Sequence, residues 1–329
     1  MKIHRLFVLA VLFVAMALFA SGCRQDSAPQ PEGGEGEAVE TVEGQTDTSQ
    51  PSQPQTDGDT QQADEETEAE PETETYEDTT SPDLMYLNAP GHFFPADEVD
   101  AKVAEIVESL GGTVAKDSAG KITSIDLRNT EVADADLIKF GGLSALKSFK
   151  VNSPNVTNEG IAPLTDSADT LKVLAIDNTL VDDKGVYDTL KYLPNLVELY
   201  MANVPVTNSS AETIGSLKNL KKLRISGTGI ADPGIEPIGG LTGLIEIDLS
   251  GIALSDQGVK YLTGLENLEK LNLYSTGVTD AAISDIATLK KLNWVNLDAT
   301  KVTDAGLPGL APLEGMTFLH LGRTKITDQ

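Results

Sequence analysis

The sequence predicts an α/β solenoid: a curved stack of short units with a parallel sheet on its concave side, short helices or 3₁₀ segments outside, and a disordered N-terminal tether. Three observations predict it. From Ile122 onward the chain repeats itself every 24 or 25 residues, in units that begin at Ile122, Leu146, Leu171, Leu196, Leu220, Leu244, Leu268, Leu292 and Met316. Inside each unit a period-two apolar pattern gives way to a period-three pattern, as a strand followed by a helical turn requires. Before the repeats, residues 24–89 are dominated by Glu, Thr, Gln, Pro, Ser and Asp. A fixed period of this length marks an architecture in which each unit closes its core only against its neighbours.

In chain order, residues 1–22 read as a signal peptide. Lys2 and Arg5 supply positive charge, residues 6–20 are an unbroken apolar run, and Ala20, Ser21 and Gly22 are small. The run of 15 residues is short of the roughly 20 needed to cross a bilayer. Cys23 is the only cysteine, so no intramolecular disulfide can form. The stretch Phe19-Ala20-Ser21-Gly22-Cys23 resembles a bacterial lipobox, with Ala20 where that motif usually has Leu. The resemblance implies that Cys23 is lipidated and becomes the mature N-terminus. Arg24 follows it rather than the Asp linked to inner-membrane retention, which points to the outer membrane in a cell that has one.

Residues 23–89 form the tether, carrying a net −18 from 19 acidic residues and Arg24. Such a composition buries too little apolar surface to offset its ordering entropy, and its like charges extend it. Residues 90–121 read as a helix-hairpin cap. A helix is expected over 97–110, with Val99, Val103, Ile106, Val107 and Leu110 on one face and Gly111-Gly112 as its stop. A strand at 113–116, a turn at 117–120 and the first repeat strand at 121–127 follow. The apolar stretch 84–94 is expected to pack against this cap.

Residues 122–329 hold eight repeat units and a final half unit. Counting from the first residue of each, positions 1, 4 and 6 are almost always Leu, Ile or Val, as in Leu268, Leu271 and Leu273. Position 11 is apolar throughout, and positions 16, 19 and 22 mostly so, as in Ile235, Ile238 and Leu241. Burying each such side chain is worth roughly 1.5–3 kcal/mol. Position 13 is Asp or Asn in every unit, from Asp134 to Asp328, and is expected to cap the helix that starts there. A calcium column is the alternative, but calcium wants about 6–8 clustered oxygens and the column offers one side chain per unit, so no metal is expected. Thr at position 9 (Thr130, Thr179, Thr228, Thr276, Thr300, Thr324) is expected to form a turn-stabilising hydroxyl ladder.

The phrasing LxxLxLxxTxVTDxGLxxLxxLxx, clearest from Leu220, Leu268 and Leu292, resembles the short leucine-rich repeats of bacterial surface proteins, planctomycetes especially. It also resembles the cysteine-containing subtype found in F-box proteins. The resemblance covers about 210 residues. It implies a protein-interaction surface and no particular activity.

Positions 2, 3, 5 and 7 should line the concave face. Position 3 runs Glu198, Lys222, Glu246 and Lys270 on consecutive units, read first as structural charge complementarity and second as a partner-reading surface. The column then becomes Trp294, the single tryptophan, and Phe318, with Tyr274 at position 7 and His320 at position 5 nearby. Tyr200 lies alone further back, and Arg224 is a further candidate on this face. Exposed aromatic clusters are favoured binding anchors; the alternative is that Trp294 and Phe318 cover the thin C-terminal end of the core. The last strand, residues 317–321, either caps the stack or pairs with another chain to make an oligomer.

Other classes are disfavoured. A net charge of −27 and a pI near 4.3 oppose nucleic-acid binding. The histidines His4, His92 and His320 have no motif-level partners, and no phosphate-binding or dinucleotide motif is present, so neither catalysis nor a cofactor is expected. The sequence thus predicts a non-catalytic, lipid-anchored, extracytoplasmic module that binds an unidentified protein. A carbohydrate-binding or structural envelope protein is the alternative.

Overall fold

The computed structural model describes residues 94–328. The signal, Cys23, the tether and residues 84–93 lie outside the described residues. No helix among the described residues is long and apolar enough to cross a membrane.

The cap comes first. Helix α1 (Val99–Ser109) buries Val99, Val103, Ala104 and Val107, and ends where Gly111 takes a left-handed φ of 81°. It is two residues shorter at its start than expected, because residues 96–98 form a turn. Strand β1 (Thr113–Lys116) pairs antiparallel with β2 (Ile122–Leu127), the first repeat strand. Asp100, buried on α1, accepts a hydrogen bond from the Ile122 amide (2.6 Å) and one from Lys121 Nζ (2.9 Å), fixing the helix to the sheet. Phe94 packs against the same core.

The repeats then add one parallel strand each: β3 (Ser148–Val151), β4 (Val173–Ala175), β5 (Glu198–Tyr200), β6 (Lys222–Arg224), β7 (Glu246–Asp248), β8 (Lys270–Asn272), β9 (Trp294–Asn296) and β10 (Phe318–His320). The register holds positions 3, 4 and 5 of each unit level with those of the next, as in Glu246↔Lys270, Ile247↔Leu271 and Asp248↔Asn272. Position 4 points inward: Leu199, Leu223, Ile247, Leu271 and Val295 are all essentially inaccessible. Short α or 3₁₀ turns close each unit from outside, and one continuous apolar core runs from Val99 to Leu313.

The position-13 column does a different job from the one its residues suggested. Helix caps sit one residue earlier: Thr157, Asp182, Thr207, Ser255 and Thr279 at position 12 accept from the amides that follow. The position-13 carboxylate instead reaches into the next unit. Asp256 accepts from the Thr279 amide (2.7 Å) and its hydroxyl (2.6 Å), and Asp280 does the same for Thr303 at the same distances. Asp134, Asp183, Asp232 and Asp304 repeat the arrangement on Thr157, Thr207, Ser255 and Thr327. The column is a clamp between units, and both its oxygens are engaged. It also dictates the glycines at position 15. A Cβ on Gly160, Gly234, Gly258 or Gly306 would collide with the side chain of Asp134, Asn208, Asp232 or Asp280. Asp136, Ser210 and Ala282 stand at that position in the other complete units, and Ser210 donates its hydroxyl to Asp183 Oδ1 at 2.5 Å.

The position-9 threonines stabilise turns but form no ladder between units. Each hydroxyl donates to the position-6 carbonyl of its own unit, as Thr228 does to Ile225 (2.7 Å) and Thr300 to Leu297 (2.7 Å). They bracket position 8, where the chain turns through left-handed backbone: Asn129, Asn178, Asn203, Gly227, Gly251, Ser275, Ala299 and Arg323 all have positive φ. Asn and Gly tolerate this region; Ala299 (φ 58°) and Arg323 (φ 52°) occupy it at a cost.

Candidate functional site

Strand alternation turns positions 3 and 5 onto the sheet face opposite the core. The parallel register then lines them up in columns across the concave surface, and each sequence-predicted site residue can be placed within them.

Trp294 and Phe318 are level on adjacent strands. Their rings stack with centroids 5.1 Å apart and planes 4° from parallel. That separation is close to the inter-strand spacing of about 4.8 Å, so the register itself sets the stack. His320, two residues on, meets Phe318 edge to face at 6.1 Å. Phe318 is 43% exposed. Val295, the residue after Trp294, is buried in the core, whereas Leu319, its equivalent on β10, is exposed at the end of the stack. The stack stands on the sheet face opposite Val295, while Leu310, Leu313 and Met316 pack in or against the core. The outer edge of β10 has no partner strand among the described residues.

Tyr274 does not join this stack. Arg323 lies over its ring at 5.1 Å and makes two hydrogen bonds to Asp298, Nε to Oδ1 at 3.1 Å and Nη2 to Oδ2 at 2.5 Å. Asp298 is 4% exposed. The Arg323 guanidinium holds its carboxyl below the ordinary range, and is itself pushed up by Asp298. A second trio of the same kind sits nearer the N-terminus. Arg224 lies over the Tyr200 ring at 5.0 Å and donates from Nη2 to Asp177 Oδ2 at 3.1 Å. Tyr200 Oη donates to Glu198 at 2.8 Å. Burial and then the Glu198 carboxylate push the Tyr200 phenol well up. Partial burial opposes ionisation of Glu198, but Lys222 and Tyr200 outweigh it and hold that carboxyl low.

The alternating charges of position 3 resolve into two pairs, Glu198–Lys222 at 2.9 Å and Glu246–Lys270 at 3.5 Å, with no pair between Lys222 and Glu246. Beside the second pair a concave cavity of about 330 Å³ is lined by Glu246, Ile247, Asp248, Lys270, Asn272 and Trp294. Sequence reasoning missed Asp177, Asp248, Asp298 and Arg323. Asp177 and Asp298 share position 7, a signal available in the repeat alignment. Arg323 sits at a turn position, and nothing in the repeat pattern points it back over Asp298.

What this surface offers is shape, aromatic contact and charge; among the described residues no nucleophile–base arrangement accompanies it. A family model described as "Leucine Rich repeat" matches residues 216–239. No curated protein matches the chain by sequence. Among solved structures, the chain is similar to the leucine-rich-repeat ectodomain of the Arabidopsis receptor kinase HAESA, solved with an N-terminally extended IDA peptide hormone (16% identity, TM-score 0.51, covering 69% of this chain and 45% of that one). It is also similar to internalin C2 of Listeria monocytogenes (26% identity, TM-score 0.46, covering 71% and 89%). The chain thus spans under half of the plant ectodomain. A leucine-rich repeat is present in the sequence, and the fold is that of leucine-rich-repeat proteins, a fold typical of interaction modules.

Proposed function

We propose that the protein is a non-catalytic interaction module that takes a polypeptide partner on its concave face, at the end formed by β7 to β10. The observation that carries this reading is the Trp294–Phe318 stack, two large aromatic rings set by register on the open side of a sheet whose other side is the core. Buried aromatic anchors dominate binding energy at protein interfaces. The likeness to the HAESA ectodomain, whose structure holds a peptide hormone, supports a peptide or protein ligand for such a face.

The localisation proposed with it is extracytoplasmic, with the signal peptide removed, Cys23 lipidated and the acidic segment acting as a spacer. The signal and lipobox-like residues support that reading. Capture from envelope extract by the full chain, compared with a Trp294→Ala/Phe318→Ala variant, tests the binding proposal. A protein retained by the wild type and lost by the folded double variant supports it; equal retention by both overturns it.

A further inference from the structure

Six carboxylates stand at positions 3, 5 and 7, and five have a cation within 4 Å: Asp126 with Arg128 (2.6 Å), Asp177 with Arg224 (3.1 Å), Glu198 with Lys222 (2.9 Å), Glu246 with Lys270 (3.5 Å) and Asp298 with Arg323 (2.5 Å). Glu269, at position 2 and outside the cavity lining, accepts from Asn293 Nδ2 at 3.5 Å. Asp248 has none among the described residues. Its Oδ1 accepts from the Ser250 amide (3.0 Å) and hydroxyl (2.7 Å), while Oδ2 receives no donor among the described residues. Asp248 and Trp294 line the same cavity of about 330 Å³, and Lys270, which also lines it, turns its ammonium to Glu246.

Elsewhere on this face an aspartate, an aromatic ring and an arginine form a trio twice: Asp177, Tyr200 and Arg224, then Asp298, Tyr274 and Arg323. The Asp248–Trp294 cavity has the aspartate and the ring but no arginine in its lining; Arg224, level with Asp248 on β6, is turned to Asp177 and Tyr200. We propose that the missing member comes from the partner, and that this cavity receives an arginine side chain of the bound polypeptide. The proposal rests on the concave-face reading above.

The chemistry fits arginine. A planar guanidinium can stack on a ring face and pair with a carboxylate at the same time, which a lysine ammonium does less well. Tryptophan gives the strongest cation–π attraction of the aromatic side chains. One face of the Trp294 indole is taken by Phe318, leaving the other for the ligand. The net −27 of the chain favours approach of a cationic segment.

Trp294 is the only tryptophan, so its emission reports on this cavity alone. Full-length protein in detergent would be titrated with a blocked tri-arginine peptide and with its tri-citrulline counterpart, which keeps the shape and removes the charge. The expected result is a saturable change with tri-arginine, affinity at least tenfold weaker for tri-citrulline, and at least a tenfold loss of tri-arginine affinity in Asp248→Asn with its melting temperature unchanged. Equal affinity for the two peptides, an unaffected Asp248→Asn, or no response to either overturns the proposal. So does saturation by a neutral oligosaccharide such as chitohexaose in place of tri-arginine. The captured partner separates this from the broader reading. Wild-type capture by Asp248→Asn, with loss only in Trp294→Ala/Phe318→Ala, overturns the arginine assignment alone; full capture by both variants overturns both.

Discussion

Gly258 lies against the carboxylate of Asp232 from the preceding unit, so closely that a β-carbon on the glycine would collide with Oδ1. Asp232 is held there by the Ser255 amide and hydroxyl it accepts. The aspartate column and the glycine column of the repeat are therefore one device seen from two units.

Substitutions in that device should couple. Gly258→Ala should destabilise the protein by about 1–3 kcal/mol through overpacking, and Asp232→Ala by about 1–3 kcal/mol through the unsatisfied Ser255 amide. The double variant should cost measurably less than their sum, since residues in contact are non-additive. Urea denaturation of the four proteins checks this; strict additivity would mean that the two positions do not share the contact.

Backbone strain makes a prediction of opposite sign. Ala299 holds φ at 58°, a region that costs an L-residue roughly 1–2 kcal/mol. Ala299→Gly should relieve that strain and stabilise the protein by about 0.5–1 kcal/mol after the greater unfolded-state entropy of glycine is subtracted. Gly251→Ala, at φ 69° with the new methyl in ordinary contact with the Gly227 backbone at 3.8 Å, should destabilise by a similar amount. Thermal melts showing no difference between the two substitutions would contradict the strain argument.

Acid sensitivity follows from the carboxylates. Asp298 is held below its ordinary value near 3.8 by Arg323, and Asp182 is held low by the Asn158 amide and the backbone N–H groups it caps. A depressed folded pKa adds stability that is fully present above the unfolded value and is lost as pH falls through the folded one. The melting temperature should hold from pH 7 to about pH 5 and fall steeply below about pH 4. Asp298→Asn should melt lower at neutral pH and lose less on acidification; a parallel decline would remove Asp298 from the account.

At the proposed binding surface, Trp294→Ala forfeits the stack with Phe318, worth about 0.5–1.5 kcal/mol. In a repeat domain of this size that lowers the melting temperature by only a few degrees. Partner affinity should fall by far more. A variant that unfolds on losing Trp294 would make the ring structural.

For the anchor, Cys23→Ser should abolish incorporation of a labelled fatty acid and release the protein from the membrane fraction. Labelling that persists in the variant would exclude Cys23 as the lipid site.

Much of the fold was legible because each repeat restates it. Leu223, Ile247 and Leu271 recur in one slot, and that slot is buried. The position-13 aspartates show where such reading stops. An Asp at the head of a helical pattern reads as a cap, and only the offset between stacked units reveals that Asp256 faces Thr279 across the joint. Trp294 and Phe318 were placed together because position 3 is level between neighbouring strands. Tyr274 sits in a nearby column, yet Arg323 claims its ring from a turn whose side-chain direction the repeat pattern does not encode. Asp248 drew no notice because its distinction is a missing partner, visible only once the other five concave carboxylates are seen paired.

The central claim, that the concave end formed by β7 to β10 is the binding surface, is tested most directly by hydrogen–deuterium exchange of the full chain with and without its captured partner. The account expects added protection in peptides carrying Glu246–Asp248, Lys270–Asn272, Trp294–Asn296 and Phe318–His320, with little change in the outer turns. Protection confined to the outer surface, for example around Tyr187 and Tyr192, would contradict it.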